Sequence, residues 1–247
     1  MSQSIMINKK ENIVSLVFNR ADKRNALSIS MLSDFCALLS EHVEDDTSAL
    51  VISGAGGYFS AGADLNDLKG DKSDIAMDDA IAAAVAALER SSVPVLAAID
   101  GPCMGAAVDL CLSCDLRLAS KNSFLQVPAT KLGILYNPAA VLRISRRLRS
   151  DVAFRLLVLG EKFNAPCALE CGLVSYVVTE PSVLDSAHDL AKTFSSNDLD
   201  AVKATKGMLK HLETEEFDLA YWNDARDILM SSPFRRKTLE YRKNRTW

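Results

Sequence analysis

Apolar positions along this 247-residue chain follow two rhythms, and the change comes at about residue 180. Up to there, short apolar runs of strand length alternate with helical stretches. Residues 5–8 and 13–18 flank Lys9-Lys10-Glu11-Asn12 and predict a hairpin. Ser28 or Ser30 can cap an amphipathic helix reaching about Val43, and 49–53 predicts a strand beyond the polar turn Glu44-Asp45-Asp46-Thr47. The spacing predicts an alanine-rich helix over 78–90, suited to close packing and without chemistry of its own. Strands follow over 93–99, 116–120 and 123–127, then helices over 138–147 and 151–159. Asn164-Ala165-Pro166 sets an N-cap before a first-turn proline, and Gly172 stands where a helix stops. A short strand over 173–178 closes this part. Everything beyond reads as helix, over 182–195, 198–212, 215–230 and 233–244. The division is a mixed α/β core, 1–195, and a helical C-terminal region, 196–247, with no low-complexity linker between them.

The stretch 93–115, VPVLAAIDGPCMGAAVDLCLSCD, organises the rest. An apolar strand runs into the turn signal Asp100-Gly101-Pro102, and Gly105, Ala106 and Ala107 open a buried helix. A helix that starts on tiny side chains leaves bare N–H donors, which favour a negative oxygen. Small residues also let a ligand approach the backbone. One carboxylate, Asp109, lies in this apolar helix. An anion cradle beside an acid points to catalysis.

Bulk properties narrow the setting. Hydrophobic residues make up 49% and charged ones 24%, an ordinary globular composition. A net charge of −4 gives no reason to expect nucleic acid or an anionic membrane as partner. Asp100 and Asp109 break the longest apolar segments, so no membrane span is expected. MSQSIMINKKE resembles neither a signal nor a transit peptide. The six cysteines sit mostly inside apolar runs and read as reduced core thiols of a cytoplasmic protein. Cys111 and Cys114 form a CxxC, but His42, His188 and His211 are all distant in sequence, so a structural pair is preferred to a metal site. A dinucleotide motif starting at Gly54 and Gly56 fails because Phe59 takes the third glycine position.

FSAGADL (59–65) followed by AAIDGPCMGAAVDLCLSCDLRLAS (97–120) closely resembles the enoyl-CoA hydratase/isomerase, or crotonase, superfamily. NRADKRNALS near the start, FLQVPATKLGI (124–134) and PCALECGLV (166–174) match its pattern in the same order. The resemblance implies a crotonase-like spiral of strand–strand–helix repeats, with C-terminal helices that build a homotrimer or homohexamer. It implies an acyl-CoA substrate, with coenzyme A arriving as part of that substrate and no permanently bound cofactor or metal. The implied oxyanion donors are the backbone N–H groups of Ala63 and Ala106. Ala61, Gly62, Asp64, Leu65, Asn66, Gly105, Ala129 and Asn137 are implied to line the substrate, with 63–66 at the pantetheine end. The tail aromatics Phe217, Tyr221, Trp222, Phe234, Tyr241 and Trp247 are expected to pack against the core and between subunits.

The acid–base set departs from every branch compared. Hydratases of the family use two glutamates on one water; the first position falls on Asp109 and the second on Ala129, which transfers no proton. GAAVDL resembles the dienoyl-CoA isomerase branch, whose other two acids fall on Ala129 and Asn137. GILYN (133–137) is similar to the methylmalonyl-CoA decarboxylase branch, whose histidine falls on Ala63. The expectation is therefore proton transfer and double-bond isomerisation, or an atypical hydration, with Asp109 as sole carboxylate. Decarboxylation of a malonyl-type thioester, with Tyr136 engaged, and a non-catalytic acyl-CoA-binding subunit are the alternatives.

Each candidate has a plainer reading. Asp109 is read as lining the acyl pocket, against a salt-bridged or capping role. Tyr136 serves either as a satisfied core-edge phenol or as a substrate contact. Asn137, before Pro138, and Asp64, after the AGA turn, are expected to cap the helices that follow them. The run Arg143, Arg146, Arg147 and Arg149 is expected to be a solvated face.

Overall fold

The computed structural model describes residues 4–179, 182–212 and 217–243. β1 (Ile5–Lys10) and β2 (Ile13–Phe18) form the expected antiparallel hairpin, with Ile5 opposite Phe18 and Lys10 opposite Ile13. α1 (Ile29–His42) starts at Ser28, whose hydroxyl accepts from the Met31 N–H. β3 (Ala49–Gly54) and α2 (Ile75–Arg90) follow, then β4 (Val95–Ile99), β5 (Pro102–Met104) and α3 (Ala106–Leu112). β6 (Leu116–Ser120), β7 (Phe124–Gln126) and α4 (Pro138–Arg147) repeat that strand–strand–helix unit. α5 (Ser150–Leu157), β8 (Phe163–Asn164), α6 (Ala165–Glu170) and β9 (Tyr176–Val178) complete the mixed part. The last described elements are α7 (Val183–Ser195), α8 (Leu199–His211), α9 (Leu219–Met230) and α10 (Pro233–Lys243).

The large sheet has the order β1-β2-β3-β4-β6-β9, parallel from β2 onward, and β5, β7 and β8 form a small second sheet. In the large sheet β4 is apolar throughout and β3 is apolar from Ala49 to Ile52, because both faces are covered. Leu50 and Ile52 of β3, with Val95, Ala97 and Ile99 of β4, point into the main core beneath α1 and α2. Their neighbours Val51, Leu96 and Ala98 point the other way, onto Val183, Ala187 and Ala191 of α7. Strand alternation thus feeds two cores at once.

Two expectations change. Pro102, read as the end of the turn Asp100-Gly101-Pro102, opens β5, which pairs in parallel with β7 from Pro102 opposite Phe124 to Met104 opposite Gln126. A proline-led strand of three residues has too little local signal to be separated from a turn. The strand expected over 173–178 contracts to Tyr176–Val178. Residues 215, 216, 244 and Trp247, included in the helical tail, lie outside the described residues.

α8 meets the core through its lysines. Lys206 Nζ donates to Asp115 Oδ2 at 2.6 Å and to the Val93 carbonyl at 2.5 Å. Lys203 Nζ donates to the Asp45 carbonyl at 2.6 Å, and Lys210 Nζ to that of Glu89. Burial pushes the Lys206 ammonium down from its ordinary value, while Asp115 works to hold it up. α8 and α9 pack closely, since a Cβ on Gly207 would come within 3.1 Å of the Trp222 ring.

Candidate active site

Two small-residue turns meet at the start of α3. The first is held by β5: Ser60 N–H donates to the Pro102 carbonyl at 3.1 Å, and Met104 N–H to the Ser60 carbonyl at 3.0 Å. Gly62 has φ +89°, and a Cβ there would lie 2.7 Å from the Met104 carbonyl oxygen and 3.5 Å from the Ala106 nitrogen. Only glycine lets the two turns approach so closely. On its other side this turn is clamped to Leu27, whose N–H donates to the Gly62 carbonyl and whose carbonyl accepts from Asp64 N–H. Ala61 N–H donates to the Arg24 carbonyl at 2.9 Å. The second turn is Gly105, with φ +53° and ψ −123°, whose N–H donates to Gln126 of β7 at 2.8 Å. Among the described residues, the N–H groups of Ala63 and Ala106 donate to no protein acceptor.

Asp64 is buried and caps the short turn after AGA, as expected. It accepts from Asn66 N–H at 3.1 Å, Asn66 Nδ2 at 2.8 Å and Arg20 Nη2 at 2.8 Å. Burial alone would raise its pKa; the bonds from Asn66 and Arg20 outweigh it and hold the carboxyl below its ordinary value. Leu65 and Asn66 lie exposed beyond it, Leu65 by 72% despite its apolar side chain.

Asp109 is buried on α3 and paired. Arg143 of α4 donates from Nε to Oδ1 at 3.0 Å and from Nη2 to Oδ2 at 2.9 Å, while its Nη1 stands 3.7 Å from Glu89 of α2. Only 3% of the Asp109 side chain and 15% of that of Arg143 are exposed. Arg143 is therefore no part of a solvated face, a correction to the reading of the basic run. α4 buries Ala140 and Ile144, and Arg143, one turn from Ala140, shares the inward side. Burial opposes the guanidinium charge, but the bond to Asp109 raises its pKa overall.

The Tyr136 hydroxyl donates to the Gly105 carbonyl at 3.0 Å, so the phenol braces the second turn. Burial, reinforced by the Asp109 charge, pushes its pKa well up and keeps the phenol protonated. Asn137 caps α4, accepting from Ala139 N–H at 2.9 Å and Ala140 N–H at 3.3 Å. Ala129 is buried at the start of a 3-10 turn over Ala129–Leu132. Cys111 has Cys103 as its thiol neighbour, at 3.6 Å, and not Cys114; burial raises the pKa of both CxxC thiols.

This arrangement of turns and strands has wide company. The enoyl-CoA hydratase/isomerase family profile matches residues 8–239. The chain belongs to the enoyl-CoA hydratase/isomerase family. It is 29% identical to 2,3-dehydroadipyl-CoA hydratase of Escherichia coli, over 83% of this chain and 81% of that one. It is 30% identical to mitochondrial Delta(3,5)-Delta(2,4)-dienoyl-CoA isomerase of Rattus norvegicus, over 90% of this chain and 76% of that one. Among solved structures, the enoyl-CoA hydratase of Bacillus anthracis superposes with a TM-score of 0.88 at 26% identity, covering 99% of this chain and 98% of that one. The α/β crotonase-type fold expected from the motifs is the fold observed. As a member of this family the chain is an acyl-CoA thioester-processing enzyme of the hydratase/isomerase type.

Proposed function

We propose that this enzyme moves a proton between carbons of an enoyl-CoA thioester, shifting its double bond through a thioester enolate. The carrying observation is the pair of uncommitted N–H groups, Ala63 and Ala106, on turns that close on each other at Gly62. The thioester oxygen accepts from both donors as negative charge develops on it. One such donor contributes on the order of 3 kcal/mol to lowering a barrier of this kind. Asp109 takes the α-proton, and the C–H electron pair becomes the enolate double bond with the charge on oxygen. The electrons then return through the dienolate, and Asp109 gives its proton to the γ-carbon, which completes the shift and restores the carboxylate. Arg143 uses one lone pair on each Asp109 oxygen and leaves the other free, so the carboxylate stays oriented yet able to receive a proton.

Water addition is less well served. Hydration by two carboxylates needs a second acid where Ala129 stands. The malonyl-type alternative asks for Tyr136 to meet a departing carboxylate, but its hydroxyl is bonded to Gly105 and the Asp109 carboxylate would repel a second anion. Coenzyme A enters and leaves with the acyl group, its pantetheine passing Asp64, Leu65 and Asn66. Six free thiols, three of them buried, support a cytoplasmic enzyme. A homotrimer or homohexamer is supported by α9 and α10, which keep Tyr221, Ile228, Phe234 and Tyr241 exposed. No helix among the described residues is long and apolar enough to cross a membrane.

A panel of 2-enoyl-, 3-enoyl-, dienoyl- and malonyl-type CoA thioesters offered to the purified protein tests this reading. Double-bond migration in the 3-enoyl or dienoyl substrates is the expected result. Consumption of the malonyl type alone, or of none, would overturn it.

A further inference from the structure

α8 meets the core across a cleft of about 890 Å³, a size within the range of small-molecule sites. Its walls are the end of α3, the start of β6, the last turn of α4 and one side of α8. Part of the lining is apolar: Leu112, Leu116, Leu148, Phe194, Val202 and Leu209. The rest is charged and unbalanced, since five cationic side chains line the cleft against two carboxylates, Asp115 and Asp198, among the described residues. Both carboxylates are committed. Asp115 accepts from Lys206 and, at 2.7 Å, from the Val95 N–H, and Asp198 caps α8 by accepting from the Ala201 N–H at 3.0 Å. The cations come from β6, α4 and α8, so the fold gathers them in a chain whose net charge is −4.

Arg117 of β6 is the cation whose surroundings are least complete. It donates from Nε to the Leu173 carbonyl and from Nη1 to the Cys114 carbonyl, both at 2.9 Å, which fixes the plane of the guanidinium. Its Nη2 bonds no described residue, and no carboxylate pairs with this half-buried charge. A charge withdrawn from water is ordinarily matched by an opposite one. Desolvation pushes the Arg117 pKa down, and the nearby charge of Arg147 adds to that push. Arg146, on another wall of the same cleft, is exposed and has neither a hydrogen bond nor an ion pair among the described residues. A fixed planar fork suits a carboxylate. The mainly aliphatic walls beside it suit an alkyl chain.

We propose that this cleft binds an amphipathic monocarboxylate of the medium-chain fatty-acid class. Arg117 receives the carboxylate, Arg146 adds positive charge from α4, and the alkyl chain lies along the apolar wall of Leu148, Val202 and Leu209. Neither Ala63, Ala106 nor Asp109 lines the cleft, so the site is separate from the oxyanion turns and independent of the enolate reading.

The test is isothermal titration of the full-length protein with decanoate, decanol and inorganic phosphate. Wild type is expected to bind one decanoate per chain. Decanol, without the charge, and phosphate, without the chain, are each expected to bind roughly 10-fold more weakly or worse. Arg117→Gln should weaken decanoate by roughly 10-fold or more and Arg146→Gln by a few-fold, with decanol unchanged in both. Val202→Trp, which fills the cleft from α8, should abolish decanoate binding. Circular dichroism checks that each variant is folded. Should Arg117→Gln unfold through loss of its two carbonyl bonds, Arg146→Gln and Val202→Trp decide, because neither removes a side-chain hydrogen bond. Decanoate binding that survives both of these, phosphate bound as tightly as decanoate, or no decanoate binding by the wild type at millimolar concentration overturns the proposal. None of these results bears on the enolate, which α-hydrogen exchange reads separately.

Discussion

Arg143 holds both oxygens of Asp109, at 3.0 and 2.9 Å, with 3% of the Asp109 side chain and 15% of that of Arg143 exposed. A bidentate guanidinium fixes a carboxylate in plane and direction as a single-point ammonium does not. Removing one partner strands the other as a buried charge. Arg143→Ala is therefore expected to lower the unfolding free energy by roughly 3–5 kcal/mol, read from urea denaturation at neutral pH. A loss below about 1 kcal/mol, the scale of a surface pair, would mean that the pair is solvated in solution.

Tyr136→Phe separates bracing from chemistry. The phenol donates to the Gly105 carbonyl and stays protonated near neutral pH. Its removal is expected to cost about 1 kcal/mol of stability, one net hydrogen bond, and to leave turnover within a few-fold of wild type. A drop of two orders of magnitude in kcat would instead make the hydroxyl a participant in catalysis.

Acid titration should report on Asp64. Its folded pKa lies below its unfolded value, so in the acid window the unfolded chain binds more protons and stability rises with pH. The contribution is complete above the usual carboxylate range and is lost as pH falls through the folded pKa, below about 4. Asp64→Asn, which gives up the Arg20 pair, is expected to be less stable than wild type by roughly 1–3 kcal/mol at pH 7. The difference should shrink as acid is added. A gap that stayed constant from pH 7 down to pH 3 would mean that the charge of Asp64 plays no part.

The tail should assemble the enzyme. α9 and α10 contribute no buried residue to the single chain, while α8 is tied to the core by Lys203, Lys206 and Lys210. A cavity of about 640 Å³ between α8, α9 and α10 is lined largely by apolar side chains, among them Met208, Leu229 and Leu239. Light scattering at micromolar concentration is expected to give the mass of a trimer or hexamer. A monomer at that concentration would contradict assembly through Tyr221, Phe234 and Tyr241 of this tail.

The fold was largely legible because its signals are local. Ser28, Asn137 and Asn164 cap the helices that their positions announced, and the apolar runs of β3 and β4 are long enough to read as strands buried on both faces. What escaped depends on partners distant in sequence. β5 exists because β7, more than twenty residues on, supplies its hydrogen bonds. Arg143 looked like one of several arginines in a charge run, and only packing against α3 selects it. α8 is tied to the core by ammonium groups on main-chain carbonyls and on Asp115, contacts invisible to hydrophobic patterning.

The central claim, a thioester enolate made by Asp109 and held by Ala63 and Ala106, is tested most directly by α-hydrogen exchange of a saturated acyl-CoA in D2O, followed by proton NMR. Wild type should wash the α-protons out. Asp109→Asn should slow this roughly 100-fold or more, and Ala106→Pro, which deletes one N–H donor, by about 100- to 1,000-fold. Ala106→Gly, which keeps the donor, should exchange close to the wild-type rate. Exchange by folded Asp109→Asn at the wild-type rate, or equal rates for the proline and glycine variants, would contradict the account.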